Sequence, residues 1–186
     1  MRYYEASSMI ASSPEAVWAV LTDGTAWPSW DSGVDRVDGQ IAPGEKITIR
    51  SQAAPGRAFP VRVTDFDPPA RLRFSGGMPL GLFRGVRTFE VSPDGTGGTA
   101  FRVREEYTGP LVGLVWRSMP NLGPSFDQFA QGLKRRGRDA PLRTMPREQG
   151  CGDPFEAPGD PNGREILRRH VPAAAAGGTR PGRTHP

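Results

Sequence analysis

Between residues 32 and 108 apolar and polar positions alternate in six short runs: "SGVDRVDG", "EKITIRSQ", "FPVRVTDF", "ARLRFSGG", "LFRGVRTFEV" and "TAFRVREEYT". A period of two places successive side chains on opposite faces of a strand, so each run predicts a strand with one buried face. The runs are separated by "APG", "APGR", "DPPA", "GGMPLG" and "SPDGTGG", whose Pro, Gly and Asp suit turns. With "RYYEASSMIA" at 2–11 as a first strand, the pattern predicts an antiparallel meander of about seven strands. Arg62, Arg71, Arg73, Arg102 and Arg104 fall on its wet face.

Two stretches follow helical spacing instead. In "SSPEAVWAVLTDG" Ser13 can cap a helix with Pro14 at its first position, and Ser12 with Glu15 offers a capping box one residue earlier. Val17, Val20 and Leu21 share one face with Trp18 beside it, and Gly24 suits a left-handed terminating position. "TAWPSWD" then makes a second, very short helical turn, so three of the four tryptophans lie between positions 18 and 30. Across 109–136, Leu111, Leu114 and Val115 and then Phe126, Phe129, Ala130 and Leu133 recur at i, i+3, i+4 intervals. Pro120 and "LGP" at 122–124 must kink or break this stretch into two helices. Lys134, Arg135 and Arg136 complement the dipole at its end.

Strand register gives a first map of the buried face. A hairpin turning at 92–98 sets Val91 opposite Thr99, Phe89 opposite Phe101, Arg87 opposite Val103 and Gly85 opposite Glu105. Phe89, Val91, Phe101 and Val103 define the inner face, and period two then carries Arg87, Glu105 and Tyr107 onto it. Arg87 and Glu105 become diagonal neighbours, within reach of an ion pair. In the hairpin around "DPPA", Val61 and Val63 join Leu72 and Phe74 inside, with Asp65 at the rim. Charges on a concave apolar face are costly unless paired or wetted. The pair is therefore purely structural, or fixes the polar end of a ligand, or takes part in catalysis.

Composition narrows the chemistry. The formal charge of +4 and pI near 9.8 suggest nucleic-acid binding, but residues 1–133 hold 13 Lys/Arg against 14 Asp/Glu, and 134–186 hold 11 against 6. The folded part is nearly neutral, so no nucleic-acid partner is expected. His170, His185 and Cys151 all lie in the tail. The first 138 residues thus lack the groups for Ser-His-Asp or Cys-His catalysis and for the usual zinc or iron sites. No metal is expected there. No apolar run of about 18 residues suggests a membrane span, and the N-terminus lacks an apolar leader core, so a cytoplasmic protein is expected. One cysteine fits that setting. Residues 139–186 carry 8 Pro and 7 Gly, a composition that predicts a disordered tail. "GTGGT" (95–99) sits in a hairpin turn without a following helix and reads as a loop. "LKRRGR" (133–138) reads as a solvated helix end.

The order strand, two small helices, six strands, long C-terminal helix comes with "SSPEAVWAVLTDGTAWPSWDSGV", "VRVTDFDPPARLRF", "TAFRVREEYTG" and "SFDQFAQGLKRR". In combination these resemble the START-like (SRPBCC) superfamily, polyketide cyclase/dehydrase branch, over roughly residues 1–138. The resemblance implies an α+β helix-grip fold, a curved seven-stranded sheet wrapped around the C-terminal helix. It implies that Trp18, Trp27 and Trp30 plug one end of a cavity between sheet and helix. A small hydrophobic or amphipathic ligand would lie there against Val61, Val63, Phe74, Phe89, Phe101, Val103, Leu114 and Phe126, with no cofactor. If the protein is an enzyme, the resemblance suggests ring closure or dehydration of a poly-β-keto chain. Arg87 would hold an enolate or carboxylate oxygen, Glu105 act as base or acid, and Tyr107 donate a proton. A different reading makes the domain an interaction module whose basic tail engages an acidic partner.

Overall fold

The computed structural model describes residues 2–139. The expectations for the tail, including Cys151, His170 and His185, lie outside the described residues. Seven strands form one antiparallel sheet: β1 Arg2–Ile10, β2 Val34–Asp38, β3 Lys46–Ser51, β4 Ala58–Asp67, β5 Arg71–Gly77, β6 Arg84–Pro93 and β7 Thr99–Thr108. Their spatial order is β1-β7-β6-β5-β4-β3-β2. Every period-two run is a strand, and the consecutive hairpins make the meander. β1 returns to the far edge beside β7, with Arg2 opposite Tyr107 and Ile10 opposite Thr99.

The helices are α1 (Pro14–Thr22), a 3-10 segment (Gly24–Ser29), a 3-10 turn (Pro79–Gly81), α2 (Val112–Ser118) and α3 (Gly123–Asp139). The Ser13 hydroxyl accepts the Ala16 N–H at 3.4 Å, as the capping pattern requires. Gly24 departs from expectation: its φ is not positive. It is needed for close approach, because a Cβ there would lie 2.9 Å from Ile41 Cδ1 and 3.1 Å from Val37 Cγ1. The stretch after Pro110 does break into two helices, around Pro120.

α3 buries Phe126, Phe129, Ala130 and Leu133 against the concave sheet, the stripe its spacing predicts. A Cβ on Gly132 would stand 2.0 Å from the Asp31 carbonyl oxygen, so only glycine lets the helix come this close to the loop before β2. The helix is also tied by polar groups. The Ser8 hydroxyl donates to the Ala130 carbonyl at 3.0 Å. The Asp31 carboxylate accepts from Gln128 Nε2 at 2.6 Å and pairs with Arg135.

The tryptophans close one end of this arrangement. Trp27 is fully buried and its indole N–H donates to the Leu21 carbonyl at 3.1 Å. Its ring meets Phe74, Phe89 and Phe129, at 5.0 Å between centroids for the last. Trp18 meets Phe66 edge-on at 5.3 Å, and Trp30 meets Phe129 at 5.2 Å. A large aromatic side chain buries about 150–250 Å², which anchors two helical segments too short to be stable alone.

The β6–β7 register differs from expectation by two residues. Val91 faces Phe101, Phe89 faces Val103, Arg87 faces Glu105 and Gly85 faces Tyr107. The Asp94 carboxylate accepts from the Thr96 and Gly98 N–H groups at 2.7 and 2.9 Å, drawing the turn one residue later. A two-residue slip keeps every side chain on its face, so the inner-face assignment holds, but Arg87 and Glu105 are directly opposed rather than diagonal. In the β4–β5 hairpin a bulge falls between Val63 and Asp65. It turns Phe66 inward and sets Asp65 opposite Arg73, with Arg71 4.0 Å away, on the outer face rather than at the cavity rim.

Candidate functional site

At the end away from Trp18 and Trp27, sheet and helices part to leave a cavity of about 500 Å³. Its deep walls are Phe74, Phe89, Val103, Phe126 and Phe129, and it opens past Phe59, Met78 and Phe83. The ionisable groups that line it are Arg57, Arg87, Glu105 and Tyr107.

Arg87 and Glu105 meet in this wall. Arg87 Nε donates to Glu105 Oε2 at 2.6 Å, and Nη2 reaches the same oxygen at 2.5 Å. The side chains are 26% and 16% exposed, so the pair is largely but not wholly withdrawn from water. The guanidinium carbon lies 4.8 Å from the centre of the Phe126 ring, close enough for a cation–π contact that fixes its outer side. Glu105 Oε1 leans over Gly85, where a Cβ would come within 3.0 Å of it. Glycine at 85 therefore leaves the carboxylate its place in the cavity.

Tyr107 sits beside this pair and is 3% exposed. Phe83 stacks on its ring at 5.7 Å, and Trp116 and Tyr4 meet it edge-on at 5.8 and 6.3 Å. Burial, then the negative charge of Glu105, push its phenol well above the ordinary tyrosine range. Tyr107 is a neutral hydrogen-bond donor at any ordinary pH. Among the described residues no group of three or more His, Cys, Asp or Glu is placed to hold a metal ion.

Of the eight residues expected to line the ligand space, Val61, Phe74, Phe89, Val103 and Phe126 do so, as do Arg87, Glu105 and Tyr107. Three do not. Val63 and Phe101 lie outside the cavity lining, within the packed core. Phe101 lies against Phe89 and Phe129, near the tryptophan end of the same inner face. Leu114 is 68% exposed. α2 turns the other way because Trp116 stacks on Tyr4 at 4.9 Å and meets Tyr107, which brings Val115 into the cavity instead. Sequence reasoning also missed Arg57, Phe59, Met78 and Met119. The signal at hand was the glycine cluster 76, 77 and 85, which marks room on the inner face.

Residues 1–138 match the family described as polyketide cyclase / dehydrase and lipid transport. The chain belongs to that family. A comparison with curated proteins finds no match. Solved structures share the fold at low identity. A START superfamily protein from Mycobacterium smegmatis is 16% identical with a TM-score of 0.55, over 74% of this chain and 97% of that one. A hypothetical protein from Helicobacter pylori is 14% identical with a TM-score of 0.61, over 74% and 88%. Norcoclaurine synthase from Thalictrum flavum, solved with dopamine and hydroxybenzaldehyde, is 15% identical with a TM-score of 0.55, over 73% and 85%. The helix-grip architecture of this family member is thus common to proteins with very different sequences, and the cavity's lining is what individualises it.

Proposed function

We propose that the protein binds a small amphipathic ligand, with its apolar body against Phe74, Phe89, Val103 and Phe126 and a polar group at Arg87, Glu105 and Tyr107. One observation carries this reading: an ion pair set in the wall of an otherwise apolar cavity of about 500 Å³. The volume lies within the roughly 300–1,000 Å³ of sites for small organic ligands. The pair borders the cavity rather than closed core, so its groups are within reach of whatever lies there. A ligand hydroxyl or carbonyl would complete its hydrogen bonding.

A second reading, an enzyme of the cyclase or dehydrase type, is favoured by the juxtaposition of Glu105 with a phenol that stays protonated. Glu105 would take a proton from the carbon next to a carbonyl and pass it to a β-hydroxyl that leaves as water, Arg87 would steady the enolate oxygen, and Tyr107 would donate a hydrogen bond to the departing hydroxyl.

Titration of the full chain with an apolar fluorescent probe, followed by displacement with hydroxylated and plain hydrocarbons, tests both. Val61→Trp narrows the cavity and should weaken probe uptake. Glu105→Gln should leave the plain probe within about twofold but weaken hydroxylated ligands by about 10–200-fold. Turnover that vanishes in Glu105→Gln would favour the enzyme. Probe uptake untouched by Val61→Trp would overturn the site itself.

A further inference from the structure

We infer that the open end of the cavity docks on an anionic lipid bilayer, with Leu80 as the leading residue. This concerns the outside of the mouth and does not depend on which ligand lies within. Among the described residues seven large apolar side chains are exposed, and five of them, Phe59, Met78, Leu80, Leu82 and Leu114, belong to segments that frame this opening. The loop 78–83 and the start of α2 are joined directly, the Leu111 N–H donating to the Leu82 carbonyl at 2.9 Å. Leu80 is 95% exposed and is held at φ 59, ψ 16. A leucine in the left-handed region is strained relative to glycine. Here that strain serves no packing, since the side chain touches water.

Charge points the same way. The segments 52–62, 76–88 and 107–126 contain five arginines and no Asp or Glu. Only Arg87 among them has a carboxylate within ion-pair distance, whereas Arg57, Arg84 and Arg117 have none among the described residues; Arg62 lies on the outer face of the sheet and donates to the Gly44 carbonyl at 2.8 Å. Away from the mouth the arrangement reverses: Arg102 and Arg104 share Glu5, and Arg71 has Asp65. Apolar tips within an uncompensated cationic rim are what an interfacial lipid surface takes up: side chains enter the acyl boundary and arginines meet anionic head groups. An acidic protein would complement the arginines but would leave Leu80 without a partner unless it also offered a pocket.

The test is flotation of the full chain with vesicles of phosphatidylcholine alone and of phosphatidylcholine mixed with phosphatidylglycerol. Binding is expected to the mixed vesicles and to fall as salt is added. Each mouth arginine neutralised near an anionic surface costs about fivefold in partitioning, so Arg57→Gln/Arg84→Gln/Arg117→Gln should lose on the order of 100-fold. Leu80→Asp should lose about tenfold or more. Leu80→Gly should lose binding too while raising Tm, because glycine relieves the backbone; this opposite movement rules out unfolding as the cause. Both Leu80 variants keep the basic segment 134–186. Binding unaffected by them would therefore place the attachment elsewhere and overturn the proposal. Equal binding to both vesicle types overturns the anionic requirement. No binding to either overturns the proposal and leaves an acidic protein as the occupant of this end.

Discussion

Removing one charge from the Arg87–Glu105 pair measures how dry the cavity wall is. Glu105→Gln keeps the shape of the side chain but leaves Arg87 facing a neutral amide across β6 and β7. Breaking a fully buried pair costs about 3–5 kcal/mol, and exposed pairs are worth about 0–1 kcal/mol. With 26% and 16% of the two side chains exposed, water still screens part of the charge. The loss should fall between these limits, at about 1–3 kcal/mol. For a folded unit of this size, an unfolding entropy of about 2.1 cal/mol/K per residue converts that into a Tm drop of about 3–10 °C. Replacing both partners, Arg87→Met with Glu105→Leu, should recover most of it, because no charge is then left unpaired. Thermal and urea unfolding of the two single variants and the double variant gives the coupling energy directly. A loss below about 0.5 kcal/mol for Glu105→Gln, with no recovery in the double variant, would refute the reasoning: the pair would then be as wet as a surface one.

Three further outcomes are expected. Trp27→Phe loses the bond to the Leu21 carbonyl and part of the plug, whereas the Trp30 indole N–H is buried without a partner among the described residues; urea unfolding should therefore show Trp27→Phe destabilised by about 1–3 kcal/mol and Trp30→Phe unchanged or stabilised. Gly132→Ala gains helix propensity of about 1 kcal/mol, but its Cβ would meet the Asp31 carbonyl at 2.0 Å, so Tm should fall because the collision outweighs that gain. Tyr107 carries a phenol whose folded value is raised; its stabilising effect is complete below the unfolded value of about 10 and declines above it, so stability should fall from about pH 10 upward. In Tyr107→Phe that part of the alkaline slope should vanish.

The strands were legible because their burial is one-sided: Phe89, Val91, Phe101 and Val103 alternate with Glu90, Ser92, Arg102 and Arg104. Parity also survived the error in register, so the inward direction of Arg87, Glu105 and Tyr107 could be read although their opposition could not. What set the register was a side chain, Asp94, gathering the N–H groups of its own turn, and spacing alone does not announce that. α2 defeated the pattern for another reason. Leu111, Val112, Leu114, Val115 and Trp116 are apolar nearly all round the helix, so periodicity gives no direction, and the stacking of Trp116 on Tyr4 chose one. The depth of the cavity was equally invisible. Phe101 and Val103 lie two residues apart on one face, yet one is core and the other wall, because only the tertiary position of the tryptophan plug decides where packing ends.

That boundary along a single sheet face separates two kinds of selection. Residues beyond Phe89 toward Trp27 hold the domain together, and exchanging them lowers the folded population. Residues at the open end such as Phe59, Val61 and Met119 border open space and can change size or polarity at little thermodynamic penalty. Such a gradient lets one scaffold acquire new tenants through a few substitutions while its foundation is left alone. A library randomised at cavity positions should retain far more folded members than one of equal size randomised around Trp27.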